Sequence, residues 1–346
     1  MITNIWKIIG VSFALTLVMS CSKPSENEIS NSKTSAKVDS VLSLMTLKEK
    51  IGQLNQYSLG SEFTGPGNKK GQDSIRYQQL ISGQVGSVLN LLGAENTRKM
   101  QELVVEKSRL GIPLLFAYDV IHGYQTMFPV PLAESSSWNL DLMQKTAQAA
   151  AAEAAASGLH WTFAPMIDVT VDARWGRVME GAGEDPYLHS EIAKARINGF
   201  QGENLAHNKT IAATAKHFAG YGYAESGKDY NSVNVNQYIL HNHILPPFKA
   251  AAEAGVASVM NSFNDINAVP ATANQYLLQD ILREKWNYDG VVVSDWNSIG
   301  EIVNHAVSPD LKDAAKKAII AGSEIDMEGS AYVQFLAQLV KDGEIE

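Results

Sequence analysis

Short apolar runs, each followed by a stretch long enough for a helix, recur along this chain, and that alternation limits the fold more than any other feature. The runs fall at 84–89, 113–118, 160–166, 210–215, 256–260, 290–294 and 323–327. Apolar runs of this length fit strands buried on both faces, and helix-length connections fit parallel pairing. The span 140–157 reads as one such helix, rich in alanine, with Gly158 placed to close its C-terminus. Seven units of this kind predict an α/β fold, a (β/α)8 TIM-like barrel. A doubly wound sheet is disfavoured because no Gly-rich dinucleotide fingerprint follows the first run. Ahead of the runs, Val41, Leu44, Met45, Leu47, Ile51 and Leu54 repeat mostly at three- and four-residue spacing, which predicts one amphipathic helix. The Gly-rich polar span 58–73 reads as a loop.

In a β/α barrel the chemistry gathers at the C-terminal ends of the strands. Those ends carry Asp119, then Asp168, Asp172, Arg174 and Arg177, then Lys216-His217, Asn261-Ser-Phe-Asn264, Asp295-Trp296 and Asp326. Carboxylates and cations make charge-assisted hydrogen bonds to vicinal hydroxyls, and tryptophan offers an apolar face to a sugar ring. The set therefore suits a neutral, polyhydroxylated substrate. Each member also has a plain structural reading. Asp295 could cap the next helix, Lys216-His217 could be an exposed pair, and Arg174 and Arg177 could brace a loop through Glu180, Glu184 or Asp185. Trp161 and Phe163 read as core. The histidines show no metal-ligand spacing, His241 and His243 included, so neither metal nor cofactor is expected.

The N-terminus reads as an address. Lys7 precedes an apolar run over 8–19, about 12 residues against the roughly 20 a bilayer-spanning helix needs. Ser20-Cys21 follows, with Val18 three positions before the cysteine, in the manner of a bacterial lipobox. The expected organisation is a lipoprotein signal peptide over 1–21 with Cys21 as the lipidated residue, a flexible tether over 22–38 and a barrel over 39–346. An apolar-periodic stretch over 332–340 runs almost to the last residue, so the chain is expected to stop before a second α/β domain. Cys21 is the only cysteine, which excludes an internal disulfide and a Cys-ligated zinc site. With 28 Lys+Arg against 37 Asp+Glu, an acidic protein argues against a nucleic-acid partner. Membrane contact is expected only through the lipid anchor, and the location is exported, periplasmic or tethered to the outer membrane.

Six segments in order carry a family likeness: Ser43-Leu-Met-Thr-Leu-Lys-Glu-Lys-Ile-Gly-Gln-Leu54, Phe116-Ala-Tyr-Asp-Val-Ile-His-Gly123, Arg174-Trp-Gly-Arg-Val-Met-Glu-Gly181, Gly183-Glu-Asp-Pro-Tyr187, Lys216-His-Phe218 and Ser294-Asp-Trp296. The sequence resembles glycoside hydrolase family 3, in particular its exported bacterial β-glucosidases, from about Asp39 to the end. That resemblance implies a retaining, exo-acting hydrolysis of terminal β-D-glucosyl residues on β-linked oligosaccharides or glucosides. It assigns the nucleophile to Asp295, expected to stay charged near neutral pH through Lys216 and Arg177. It assigns sugar binding to Asp119, Arg177, Lys216 and His217, a wall to Trp296 and pocket lining to Met260.

Two departures stand against that pattern. Phe263 stands where many relatives have a tyrosine. The glutamate acid/base of the β-glucosidase branch comes from a domain beyond the barrel and is expected to be absent from this chain. The N-acetylglucosaminidase branch instead uses an Asp/His dyad in the loop after Lys-His. Here that loop has Asp229 but no histidine over 220–231, which disfavours the branch. Two other readings remain open: a sugar-binding or inactive barrel lipoprotein, and a lyase with a Schiff base on Lys216.

Overall fold

The computed structural model describes residues 26–59 and 72–346. The apolar run 8–19, Cys21 with its predicted lipobox and most of the predicted loop, 60–71, lie outside the described residues. The chain divides into two units, 1–44 and 45–346. In the first, Glu26–Leu44 forms one helix, where a flexible tether was expected as far as residue 38. The stretch has no one-sided apolar stripe, but it also has neither Pro nor Gly, so nothing local interrupts a helix. The single helix predicted over 41–54 is two. The second, Leu47–Gln53, starts at Thr46, whose hydroxyl accepts the Glu49 N–H while the Glu49 carboxylate accepts the Thr46 N–H at 2.8 Å. That reciprocal pair is a capping box, and it fixes where the helix begins.

Among the described residues, eight short parallel strands build the second unit. They are β1 Asn55–Ser58, β2 Ser87–Leu89, β3 Leu115–Tyr118, β4 Trp161–Thr162, β5 Thr214–Phe218, β6 Ser258–Asn261, β7 Val291–Val293 and β8 Asp326–Met327. One hydrogen-bonded run has the order β8-β1-β2-β3-β4, another β5-β6-β7. Parallel bridges Trp161–Ala212 and Met166–Lys216 join β4 to β5, and Val293–Ile325 joins β7 to β8. The ring therefore closes as a TIM-like barrel. An antiparallel hairpin, Asp265–Ile266 with Val269–Pro270, follows β6 and was not foreseen.

The strand missing from the sequence reading is β1. Its residues, Asn-Gln-Tyr-Ser, are all buried but mostly polar, so no apolar run announces it. Asn55 Nδ2 donates to the Gln84 carbonyl at 3.1 Å and Gln56 Nε2 to Ser87 Oγ at 2.9 Å. These bonds offset much of the desolvation that would otherwise exclude such residues from a barrel interior.

Alternation divides the remaining strand residues between two cores. Val88, Phe116, Val259 and Val292 face the helices, and Leu89, Ala117, Met260 and Val293 face inward with Trp161 and Phe163. Trp161 satisfies its indole N–H on the Thr214 and Ser258 hydroxyls at 2.9 and 2.8 Å. Outside the barrel, the alanine-rich helix Leu140–Ala156 lies close against Pro186–Gln201. A methyl group at Gly199 would stand 2.6 Å from the Ala147 Cβ. As predicted, Gly158 follows the first of these helices in a left-handed conformation, φ +87.

Candidate active site

The C-terminal ends of β3, β5 and β7 bring Asp119, Lys216, His217 and Asp295 to one end of the barrel. Lys216 Nζ is 2.8 Å from Asp119 Oδ1, with only 4 % of the lysine side chain exposed. Asp295 accepts the Trp296 backbone N–H on Oδ1 at 2.6 Å, and its Oδ2 faces His217 Nε2 at 3.4 Å. The following helix, Ser298–Asn304, has no side-chain cap at its N-terminus. Asp295 is therefore not a helix cap; its carboxylate is turned toward the other charged strand-end residues.

Arg177 reaches the same place from the loop after β4. Its Nε and Nη2 bind the Glu180 carboxylate at 2.7 and 2.9 Å, and its guanidinium lies 5.6 Å from the Tyr221 ring. Burial opposes its charge, but Glu180 and Asp295 favour it, and the net effect raises an already high pKa. Arg177 stays a cation.

The electrostatics of Asp295 differ in part from expectation. Burial pushes its carboxyl up to about 6, while Arg177, Lys216 and the Trp296 N–H pull it down and Asp119 pushes it up. The two cations therefore do not depress the value below the ordinary one; they limit the rise. At neutral pH the carboxylate is still mostly ionised.

Other strand-end residues have different employment. Asp172 pairs with Arg174 at 2.6 Å on the surface. Asp326 accepts the backbone N–H groups of Gly329 and Tyr332, each at 3.0 Å, and so organises the turn into the helix Ala331–Lys341. Met260, expected to line the pocket, is 2 % exposed in the interior core, with Trp296 packed against that cluster. β6 turns its side chain inward, away from the place expected for it. His217, expected to hold sugar hydroxyls, exposes only 1 % of its side chain and lies between Asp168 and Asp295. His241 meets Tyr276 at the surface, its Nε2 2.9 Å from the phenol oxygen.

The sequence reading named Phe263 and Trp296 but did not foresee the aromatic cluster they join. Trp175, Tyr221, Phe263 and Met166 form a buried cluster against which Trp296 packs, and the Tyr230 ring lies tilted against Phe263 with centroids 4.7 Å apart. These residues come from several separate loops, so no local spacing announces them. A cavity of about 560 Å³ opens beside the polar group, with Asp119 and Glu180 in its lining. A carboxylate bracketed by a histidine and two cations, with an indole beside it, can attack an electron-poor carbon of a polyhydroxylated ligand.

The description "Glycosyl hydrolase family 3 N terminal domain" matches residues 46–346. The chain belongs to glycoside hydrolase family 3. Among its relatives, a periplasmic beta-glucosidase of Salmonella typhimurium is 42 % identical over 308 residues, covering 89 % of this chain and 39 % of that one. A beta-xylosidase of Formosa agariphila is 35 % identical over 284 residues. The crystal structure of a beta-glucosidase from Listeria innocua in complex with isofagomine superposes with a TM-score of 0.84 at 41 % identity. It covers 90 % of this chain and 43 % of the other. This family 3 chain thus spans about two fifths of the length of these relatives.

Proposed function

We propose that this family 3 barrel is the nucleophile-bearing part of a retaining, exo-acting β-glycosidase, with a terminal β-D-glucosyl residue as its sugar. The observation that carries the reading is Asp295: an ionisable carboxylate at a barrel strand end, 3.4 Å from His217 and in the field of Arg177 and Lys216. In the first step its oxygen bonds to the anomeric carbon as the aglycone leaves with the glycosidic electron pair. Water then cleaves the resulting ester. Asp119, Arg177 and Lys216 hold the sugar hydroxyls, and Trp296 walls the site. The beta-glucosidases among the relatives favour glucose.

A retaining glycosidase needs a second, protonated carboxyl roughly 5–5.5 Å from the nucleophile. The nearby acids are already engaged: Asp119 with Lys216, Glu180 with Arg177, and Asp168 with His217 at 2.8 Å. This reading therefore takes the acid/base from outside these 346 residues. Asp229, the candidate of the N-acetylglucosaminidase branch, accepts the Trp175 indole N–H at 2.9 Å, which disfavours that role. Export with lipid attachment at Cys21 completes the proposal, supported by the N-terminal pattern and the periplasmic relative. Metabolic labelling with palmitate, lost in Cys21→Ala, tests it.

The central test uses an activated substrate that needs little protonation. Incubation with 2,4-dinitrophenyl 2-deoxy-2-fluoro-β-glucoside should add one fluoroglucosyl group to the peptide containing Asp295, and Asp295→Asn should abolish the adduct. A folded chain that binds glucose but never releases dinitrophenolate would favour the sugar-binding lipoprotein instead. Trapping of a carbonyl substrate on Lys216 by borohydride would favour the lyase. The Lys216 ion pair with Asp119 and the polar surroundings argue against the desolvated amine that chemistry needs.

A further inference from the structure

One imidazole stands between two buried carboxylates. Asp168 Oδ2 accepts the His217 backbone N–H at 2.8 Å and meets the His217 ring at Nδ1, also at 2.8 Å. The opposite nitrogen, Nε2, faces Asp295 Oδ2 at 3.4 Å. Asp168 shows none of its side chain to solvent and His217 only 1 %. Asp168 cannot touch a ligand, and the reaction proposed above leaves it without a role.

From this geometry we infer that Asp168 is a positioning residue: through His217 it decides which imidazole nitrogen carries the proton, and so whether the nucleophile has a donor beside it. The inference rests on Asp295 being the nucleophile. A neutral imidazole has one N–H and one bare nitrogen. With Asp168 protonated, its O–H donates to Nδ1, and Nε2–H points at the Asp295 carboxylate and holds it. With Asp168 ionised, the ring proton sits on Nδ1, and a bare Nε2 confronts the Asp295 oxygen. The change is balanced: Asp168 gives one proton to water, and the imidazole proton passes from Nε2 to Nδ1.

The surroundings favour the first arrangement below neutral pH. Burial raises Asp168 to about 7, opposed by the His217 and Tyr221 backbone N–H groups and by Arg177, and assisted by Glu180. Burial, Arg177 and Lys216 together hold His217 well below the ordinary imidazole value. The Tyr221 ring packs edge-on against it at 5.1 Å. Asp119, across the site, is paired with Lys216. Behind Asp168, His189 accepts the Ala182 N–H through Nε2 at 3.0 Å, and burial lowers it to about 4, so it adds no cation.

The test uses the full chain, labelled with ¹⁵N-histidine, and its Asp168→Asn variant. Both contacts fall on one carboxylate oxygen, so in the variant the carboxamide oxygen takes that place, accepts the backbone N–H and the ring Nδ1–H, and leaves Nε2 bare at every pH. In the wild type the His217 ¹⁵N signals, assigned by their loss in His217→Gln, should show a protonated Nε2 at pH 6 and a protonated Nδ1 at pH 8. Asp168→Asn should keep Nδ1 protonated and Nε2 bare at both. In parallel, stopped-flow release of dinitrophenolate from 2,4-dinitrophenyl β-glucoside reads ester formation. Ionisations near 6 and 7 predict that the wild-type rate falls about sixfold from pH 6.5 to 8, whereas the rate of Asp168→Asn does not fall over that interval. A bare Nε2 in the wild type at pH 6, or the same alkaline fall in both proteins, would overturn the inference. If no dinitrophenolate appears from either, the nucleophile assignment has failed, and the nitrogen signals still judge the role of Asp168.

Discussion

Removing Arg196 should both destabilise the barrel and loosen the loop that carries Asp119. Arg196 Nη1 lies 2.5 Å from Glu134 Oε2, with each side chain 6 % exposed. The other carboxylate oxygen accepts the Thr146 hydroxyl at 2.5 Å. The second guanidinium nitrogen of Arg196 donates to the Ile121 carbonyl, two residues after Asp119. In Arg196→Met the Glu134 charge stays buried without its counter-ion, which costs about 3–5 kcal/mol. The Ile121 carbonyl also loses its donor, a penalty of about 1–3 kcal/mol that partly overlaps the first. Glu134→Leu leaves the arginine unpaired at a similar cost of about 3–5 kcal/mol. The double variant removes both charges and retains mainly the carbonyl penalty, about 1–3 kcal/mol. The two single effects should therefore exceed the double effect by at least about 2 kcal/mol. Guanidinium denaturation at pH 7 with linear extrapolation measures all three. Additivity within about 0.5 kcal/mol would mean that the two groups are independent, and the reasoning would be wrong.

Three further outcomes follow from the same coordinates. Ester formation on Asp295 should decline below about pH 6, approaching tenfold per unit, because burial raises that carboxyl to about 6 and its protonated form cannot attack. The pH profile of the dinitrophenolate burst checks this, and a flat profile from pH 7 to 4 would contradict it. Thr46→Ala removes half of the capping box and should lower stability by about 1 kcal/mol, whereas Thr46→Ser should recover most of it; thermal melts decide. Gly199→Ala should destabilise by about 1–3 kcal/mol although alanine is the better helix former, because its methyl would stand 2.6 Å from both Ala147 Cβ and Gln144 O. Urea midpoints measure that sign.

Legibility followed the physics of each element. Strands whose two faces are both apolar, such as 291–293, show as continuous runs. β1 does not, because its buried Asn55 and Gln56 are held through their amide nitrogens by hydrogen bonds that are non-local in sequence. The break at Met45-Thr46 was present locally as Thr46 with Glu49 three residues on, yet apolar spacing alone runs across it. In the site, Asp119, Lys216 and Asp295 sit at strand ends, where a barrel gathers its chemistry. The link from Asp168 to His217 crosses 49 residues and has no sequence period. The same is true of the aromatic cluster behind Trp296.

The order of apolar runs and helix-length connections determined a closed parallel barrel, because each strand must bury both faces and each crossover must return to the same end. It also determined which residues lie at the strand ends. It did not determine how those residues divide their duties. Asp326 turned to a helix start, Met260 turned inward, and His217 became the bridge between two acids. These outcomes depend on side-chain directions and on charges brought within about 3 Å by chain closure, at separations over which burial and neighbouring ions dominate the electrostatics. A linear sequence holds the groups; only the closed ring brings them into each other's field.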